Sequence, residues 1–126
     1  GAAKLKWMLR DCTQVSFLSL GFNGIGAEAV RGLACVLGKC TELRELDLSH
    51  NQLGAEGAGS VARVVRQSTT LQQIRLSNTD LGAAGVRQLA TGLRLSRSVR
   101  HLDVWGNRLG VEGARELAKG LVEGRA

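Results

Sequence analysis

One glycine-rich segment has the spacing of a cofactor-binding turn. Gly24, Gly26 and Ala29 match the G-x-G-x-x-A pattern that lets a pyrophosphate approach the backbone, and Asp47 follows about 20 residues later, where such sites hold a ribose. The last two positions recur every 28 residues as Gly54, Gly82 and Gly110 and as Gly57, Gly85 and Gly113. The pattern therefore belongs to a structural repeat, and we predict no dinucleotide site and no other cofactor.

Two further groups of residues could support catalysis or metal binding. His101 and Asp103 are two residues apart, and a carboxylate can orient an imidazole as a general base. No nucleophile is placed with them, and Cys35, Cys40 and His50 lack the spacing of zinc ligands. We predict that the protein is not an enzyme, holds no metal and has no small-molecule substrate.

The cysteines bear on the cellular compartment. Cys12, Cys35 and Cys40 are odd in number and form no familiar disulfide pattern, and none of the four asparagines lies in an Asn-x-Ser/Thr acceptor site. Cys12 and Cys40 occupy equivalent repeat positions, where Ser68 and Ser96 show that a small residue suffices. We expect structural thiols in a cytoplasmic protein, with the nucleus as an alternative location.

A repeat of 28 residues organises the whole chain. In each unit, apolar residues first alternate with period two, as in a half-buried strand, and then follow the i, i+3, i+4, i+7 spacing of one helix face. The strand-side positions are Val15, Leu43, Leu71, Val99; Leu18, Leu46, Ile74, Leu102; Leu20, Leu48, Leu76, Val104; and Ile25, Leu53, Leu81, Leu109. The helical positions are Val30, Ala58, Val86, Ala114; Leu33, Val61, Leu89, Leu117; Ala34, Ala62, Ala90, Ala118; and Leu37, Val65, Leu93, Leu121. Each unit is therefore predicted to form a strand and then a helix, with parallel strands and right-handed crossovers.

The segments Leu43 to Gly54 and Val99 to Gly110 carry a family resemblance. Their pattern Leu-x-x-Leu-x-Leu-x-x-Asn-x-Leu-Gly, with Val99 and Val104 as variants, resembles the ribonuclease-inhibitor class of leucine-rich repeats. The resemblance implies a curved α/β solenoid with four parallel strands on the concave face and about five helices on the convex face. We predict one domain over 1–126, with a half repeat at 1–14 and repeats at 15–42, 43–70, 71–98 and 99–126.

The resemblance also implies roles for particular residues. In the family, the asparagine of the pattern bonds the turning backbone from inside; Asn23, Asn51 and Asn107 fit, whereas Thr79 departs and implies a looser turn. The uniform 28-residue period is most similar to the C-terminal repeats of NOD-like receptors, although Ran GTPase-activating proteins and free-standing repeat proteins are also similar. Membership of the NOD-like receptors would imply that the chain is a sensing or self-restraining segment of an innate immune receptor.

The charge and composition narrow the partners. The chain is 126 residues long with 44% apolar residues, and no apolar run approaches the roughly 18 residues of a membrane span. The strand-and-turn halves of the units are neutral, so the helical halves carry the formal charge of +6. A solvated outer surface explains this charge, because nucleic-acid binding favours a basic groove with interleaved aromatics. We expect a protein partner, no membrane insertion and no nucleic acid.

The alternating strand residues that point away from the core predict the binding surface. Adjacent units align them in rows on the concave face. Three of the four aromatic residues fall at these exposed positions, and exposed aromatics are typical interface anchors. Arg75, Asp47 and Asp103 fall in one of these rows. Ion pairs within the molecule are an alternative explanation for these charged residues. The predicted protein-binding residues are Phe17, Phe22, Glu45, Asp47, Gln73, Arg75, His101, Asp103 and Trp105.

An assembly role is the alternative function. Trp7 and Met8 occupy helix positions at which the other units vary, and they either cover the first core layer or pack on a neighbour. In the second case the chain would self-associate as a possible homo-oligomer, or stack on a neighbouring domain, through its uncapped ends or its basic helical face.

Overall fold

The computed structural model describes residues 15–21, 24–37, 40–108, 110–111, 113–115 and 117–118. Strands and helices alternate along this part of the chain, and residues after the last strand are again helical at 110–111, 113–115 and 117–118. The elements are β1 (Phe17–Ser19), α1 (Ala27–Leu37), β2 (Glu45–Asp47), α2 (Gly54–Gln67), β3 (Gln73–Arg75), α3 (Gly82–Leu95) and β4 (His101–Asp103). The predicted α/β solenoid is confirmed; the helix expected over residues 4–10 lies outside the described residues.

The four strands form one parallel sheet in chain order. Each residue pairs with the residue 28 positions further on, so that Leu46 lies between Leu18 and Ile74, and Ile74 lies between Leu46 and Leu102. The register of the sheet is therefore the period of the sequence. Side chains in equivalent positions stack in rows across the strands.

The core lies between the sheet and the helices. Leu46 and Ile74 from the strands, Leu76 directly after β3, and Leu33 and Leu89 from the helices are fully buried, because period two and period 3.6 turn one face of each element inward. The outer units are less well covered, and Val15, Leu18, Leu102 and Val104 are only partly buried.

The predicted core needs correction at three alanines. Ala114 and Ala118 are exposed and Ala62 is half-buried, although all three fall at apolar repeat positions. No described element packs on the far side of Ala114 and Ala118, and a small side chain in the outermost layer reaches less far into the core.

Buried asparagines tie neighbouring turns together. The Asn51 side chain accepts a hydrogen bond from the Ile25 N–H (2.9 Å) and donates to the Leu20 carbonyl (2.9 Å), both in the preceding unit, and to the Leu48 carbonyl (2.9 Å) in its own. Asn107 repeats this arrangement two boundaries further on, since it also bonds the backbone of its own and the preceding unit. The predicted role of these two asparagines is therefore confirmed, and Asn23 lies outside the described residues.

Thr79 makes a different set of bonds from the asparagines. Its hydroxyl is fully buried and donates to the Leu76 carbonyl (2.8 Å) in its own unit. Its main-chain carbonyl, not its side chain, accepts the Leu53 N–H (3.1 Å) of the preceding unit. The boundary between the second and third units therefore lacks the side-chain bonds that the asparagines make at the other two boundaries.

The cysteines depart from the prediction. Cys40 is disulfide-bonded, whereas Cys35 is a free and exposed thiol. The expectation of structural thiols is wrong for Cys40, and the argument for a reducing compartment loses that support. Cys12 lies outside the described residues.

No helix in the described part of the chain is long and apolar enough to cross a lipid bilayer.

Candidate functional site

The concave face of the sheet presents two adjacent rows of side chains. The strand register aligns them as Phe17, Glu45, Gln73, His101 and as Ser19, Asp47, Arg75, Asp103. Phe17 is 54% exposed, Arg75, His101 and Asp103 are exposed, and Glu45, Asp47 and Gln73 are half-buried. The structure thus brings together the strand residues of the predicted site. Phe22, Trp7 and Met8 lie outside the described residues.

Arg75 does not form the ion-pair ladder that its neighbours suggest. The one ion pair among the described residues joins Arg31 to Glu28 (3.5 Å) on an exposed helix face. With the Gln73 side-chain amide turned so that its oxygen faces Arg75, the guanidinium donates from Nε (2.9 Å) and Nη2 (3.0 Å) to that oxygen, two residues earlier on the same strand face. The guanidinium is therefore held along its own strand while the residue stays exposed.

The two concave aspartates support the turns that follow them. The Asp47 carboxylate accepts the Ser49 N–H (3.0 Å), and the Asp103 carboxylate accepts the Trp105 N–H (3.1 Å). This i to i+2 bond is the usual side-chain device of an aspartate at a turn, and each carboxylate retains a second oxygen for a ligand. Sequence reasoning missed this role, although an aspartate at the end of a strand, just before a turn, could have indicated it.

The turn after β3 has a different hydrogen bond, because Arg75 takes the place of the aspartate in this unit. The Ser77 N–H donates to the hydroxyl of Ser49 in the preceding unit (3.1 Å). Ser49 is buried, with a relative exposure of 7%. Arg75 is therefore a concave strand residue whose charge the fold does not use in an ion pair among the described residues.

A polar groove at the carboxyl ends of the strands was not predicted. It has a volume of about 640 Å³, and its lining includes four residues whose φ is positive although they are not glycine: His50 (62°), Asn78 (53°), Asp80 (58°) and Arg108 (50°). Residues other than glycine rarely adopt this left-handed backbone region, and asparagine and aspartate tolerate it best. The sequence signal was the glycine at equivalent positions in other units, Gly24 and Gly106.

Trp105 follows β4 and directly precedes Gly106, which lines this groove. It is 74% exposed, as the alternation of the sequence predicted. In the described part of the chain no group of three histidine, cysteine, aspartate or glutamate side chains could hold a metal ion. The concave rows and the adjoining turns can therefore offer hydrogen bonds, charges and one large aromatic surface to a partner.

The parallel strand-and-helix stack, with asparagines bonded inside its turns, defines a leucine-rich-repeat solenoid. The sequence agrees, because residues 39–62, 67–90 and 95–118 match the family described as Leucine Rich repeat. These matches cover more than half of the chain, and the protein belongs to this family.

Two solved structures share the fold. The leiomodin-1 structure titled "Actin-Binding Site 2" superposes with a TM-score of 0.82 at 17% identity, over 97% of this chain and 70% of that chain. The tropomodulin C-terminal domain of Caenorhabditis elegans gives a TM-score of 0.83 at 13% identity, over 98% of this chain and 77% of that chain. No curated protein matches the sequence significantly. At these identities, the likeness shows the fold.

Proposed function

We propose that the protein is a binding module that recognises another protein through its concave strand face. The observation that carries this proposal is the state of Arg75, which is exposed, oriented by Gln73 and paired with neither flanking aspartate. A guanidinium held with free donors suits recognition of a partner, since arginine and large aromatics are enriched among the residues that dominate binding. His101, Asp103 and Phe17 extend the surface on either side.

Actin is the first partner to test. The leiomodin-1 relative is titled as an actin-binding site, and this chain superposes on most of that structure. The fold likeness motivates the test, and the concave residues named above provide the variants.

A place in an NOD-like innate immune receptor stays a prediction from the uniform repeat length. A cytoplasmic location is also a proposal: the absence of asparagine acceptor sites supports it, and the Cys40 disulfide weakens it. Alkylation of Cys40 in acid-quenched cells tests the location. In a reducing compartment Cys40 would be a reduced thiol and would be alkylated, whereas in an oxidising compartment its disulfide would protect it.

Self-association is a second candidate, favoured by the outer edge of β4. In the described part of the chain, β4 pairs only with β3, and an unpaired strand edge can accept another strand. The predicted contributions of Trp7 and Met8 to such contacts fall outside the described residues. Sedimentation velocity at several protein concentrations distinguishes this role from binding to a different protein.

The experiment that tests the proposal compares two triple variants. The concave variant replaces Gln73, Arg75 and His101 with alanine, and the control variant replaces Arg63, Gln67 and Arg87, which are exposed on α2 and α3. Each protein is first tested for co-sedimentation with filamentous actin and then used to capture partners from cell lysate for mass spectrometry.

We expect the concave variant to lose a partner that the wild type and the control variant both retain. A partner lost only from the control variant would place binding on the helices and contradict the proposal. Recovery of the same partners by all three proteins would exclude both surfaces.

A further inference from the structure

The turn that leaves β4 departs from the repeat at three exposed positions. Where the other units carry small residues, Gly21, Ser49 and Ser77, this turn carries Trp105; where they carry Ala27, Ala55 and Ala83, it carries Val111. Trp105 is 74% exposed and Val111 is 78% exposed. Folding of the repeat does not require these larger side chains, because the other units form the same turn without them.

Arg108 is the third departure. The equivalent residues are Gly24, Gln52 and Asp80, and the two of these with a left-handed backbone are a glycine and an aspartate, which tolerate it. Arg108 adopts this conformation with a φ of 50°, at a cost in free energy that glycine avoids. Strained residues of this kind concentrate at binding sites.

The Arg108 guanidinium is available to a ligand. It is exposed, and the described part of the chain contains neither an ion pair nor a hydrogen bond of its side chain. It lines the groove at the carboxyl ends of the strands together with Asn78 and Asp80. Trp105 and Val111 lie three residues before and three residues after Arg108 in the sequence. The planar Arg108 guanidinium can donate two parallel hydrogen bonds to a carboxylate, and the two exposed apolar side chains can contact neighbouring apolar groups of a ligand.

We propose that Trp105, Arg108 and Val111 together bind an acidic segment of a protein partner, in which a carboxylate meets the Arg108 guanidinium and neighbouring apolar side chains pack on Trp105 and Val111. This inference rests on the proposed function, because it assigns partner chemistry to one end of the same surface. Arginine and tryptophan are the residue types that contribute most to binding energy at interfaces.

The test uses substitutions that the repeat itself supplies. Trp105→Ser, Arg108→Gly and Val111→Ala install the residues found at the equivalent positions of other units, so each variant is expected to fold. Arg108→Gly also relieves the left-handed arginine, and we expect its melting temperature to equal or exceed that of the wild type. A clearly lower melting temperature would overturn the strain argument.

The probes are the peptides Ac-Leu-Asp-Leu-Glu-Leu-amide and Ac-Leu-Asn-Leu-Gln-Leu-amide, which differ only in charge. Binding is followed by ¹H–¹⁵N NMR, in which the Trp105 indole signal is assigned by its absence from the Trp105→Ser variant. We expect a saturable shift with the acidic peptide, and binding weaker by about tenfold or more with the amide peptide or the Arg108→Gly variant. We expect a smaller loss with Val111→Ala.

Three outcomes would overturn the proposal. They are equal binding of both peptides, undiminished binding by Arg108→Gly, and no saturable shift up to about 10 mM peptide. The concave triple variant keeps Trp105, Arg108 and Val111, so it should bind the acidic peptide normally. If it does not, the peptide occupies the concave rows and the turn is not the site. If it does, loss of peptide binding and loss of a concave-face partner are separate results, so a failure of one proposal can be told from a failure of the other.

Discussion

Truncation of Leu76 to alanine should cost a large part of the stability of the protein. Leu76 follows β3 in a central unit and is 0% exposed, so its whole side chain is removed from water on folding. Each buried CH₂ contributes about 0.8 kcal/mol, and the three lost carbons therefore account for about 2.4 kcal/mol. The cavity left between two packed units adds to this, and we expect a total loss of about 3 to 4 kcal/mol.

Leu95→Ala is the matched control, because it makes the same chemical change at the end of α3 where the side chain is 52% exposed. We expect it to cost about 1 kcal/mol or less, since half of the side chain already contacts water. Urea denaturation followed by circular dichroism at 222 nm measures both free energies of unfolding. Equal losses for the two variants would refute the assignment of Leu76 to the core and with it the register of the repeat.

Three further predictions follow from individual contacts. Thr79→Asn should raise the free energy of unfolding by about 1 kcal/mol, because an amide there can reach the Leu48 carbonyl of the preceding unit as the other asparagines reach theirs; urea denaturation measures it, and a loss of stability would contradict it. Asp47→Ala should lower stability by about 0.5 to 1 kcal/mol through the lost turn bond, whereas Asp47→Asn should retain most of it. Iodoacetamide applied to the native protein should modify Cys35 and should not modify Cys40 until a reductant is added. Trypsin separates the two cysteines, so the masses of the peptides show which one is modified. Prompt labelling of Cys40 would exclude its disulfide.

The sequence predicted the fold well because the repeat is strict. A register shift of one residue in any unit would move the apolar side chains of its strand from the core face to the solvent face. The alignment of apolar positions over four units was therefore compatible with one strand register. The pairing of Leu46 with Leu18 and Ile74 is that alignment seen in the structure. The alanines at 114 and 118 were mispredicted because apolarity shows which face a residue occupies, but not whether another element covers it.

The site was less predictable because its details depend on local hydrogen bonds. Alternation placed Arg75 among acidic neighbours and suggested ion pairs, yet the guanidinium bonds to Gln73 along its own strand. Alternation of exposed and buried residues also ends with the strand: Ser49, two residues after Asp47, is buried, and its hydroxyl accepts the Ser77 N–H. The left-handed backbone of Arg108 has no counterpart in a pattern of apolar residues, and only comparison with Gly24 points to it.

The central claim is that a partner contacts the concave face, and photo-crosslinking tests it most directly. p-Benzoylphenylalanine replaces Gln73 in one protein and Arg87, on the outer side of α3, in another, and each is irradiated with the captured partner. The account predicts a covalent adduct with the partner from position 73 and none from position 87. An adduct from position 87 alone, or adducts only between copies of the chain, would contradict it.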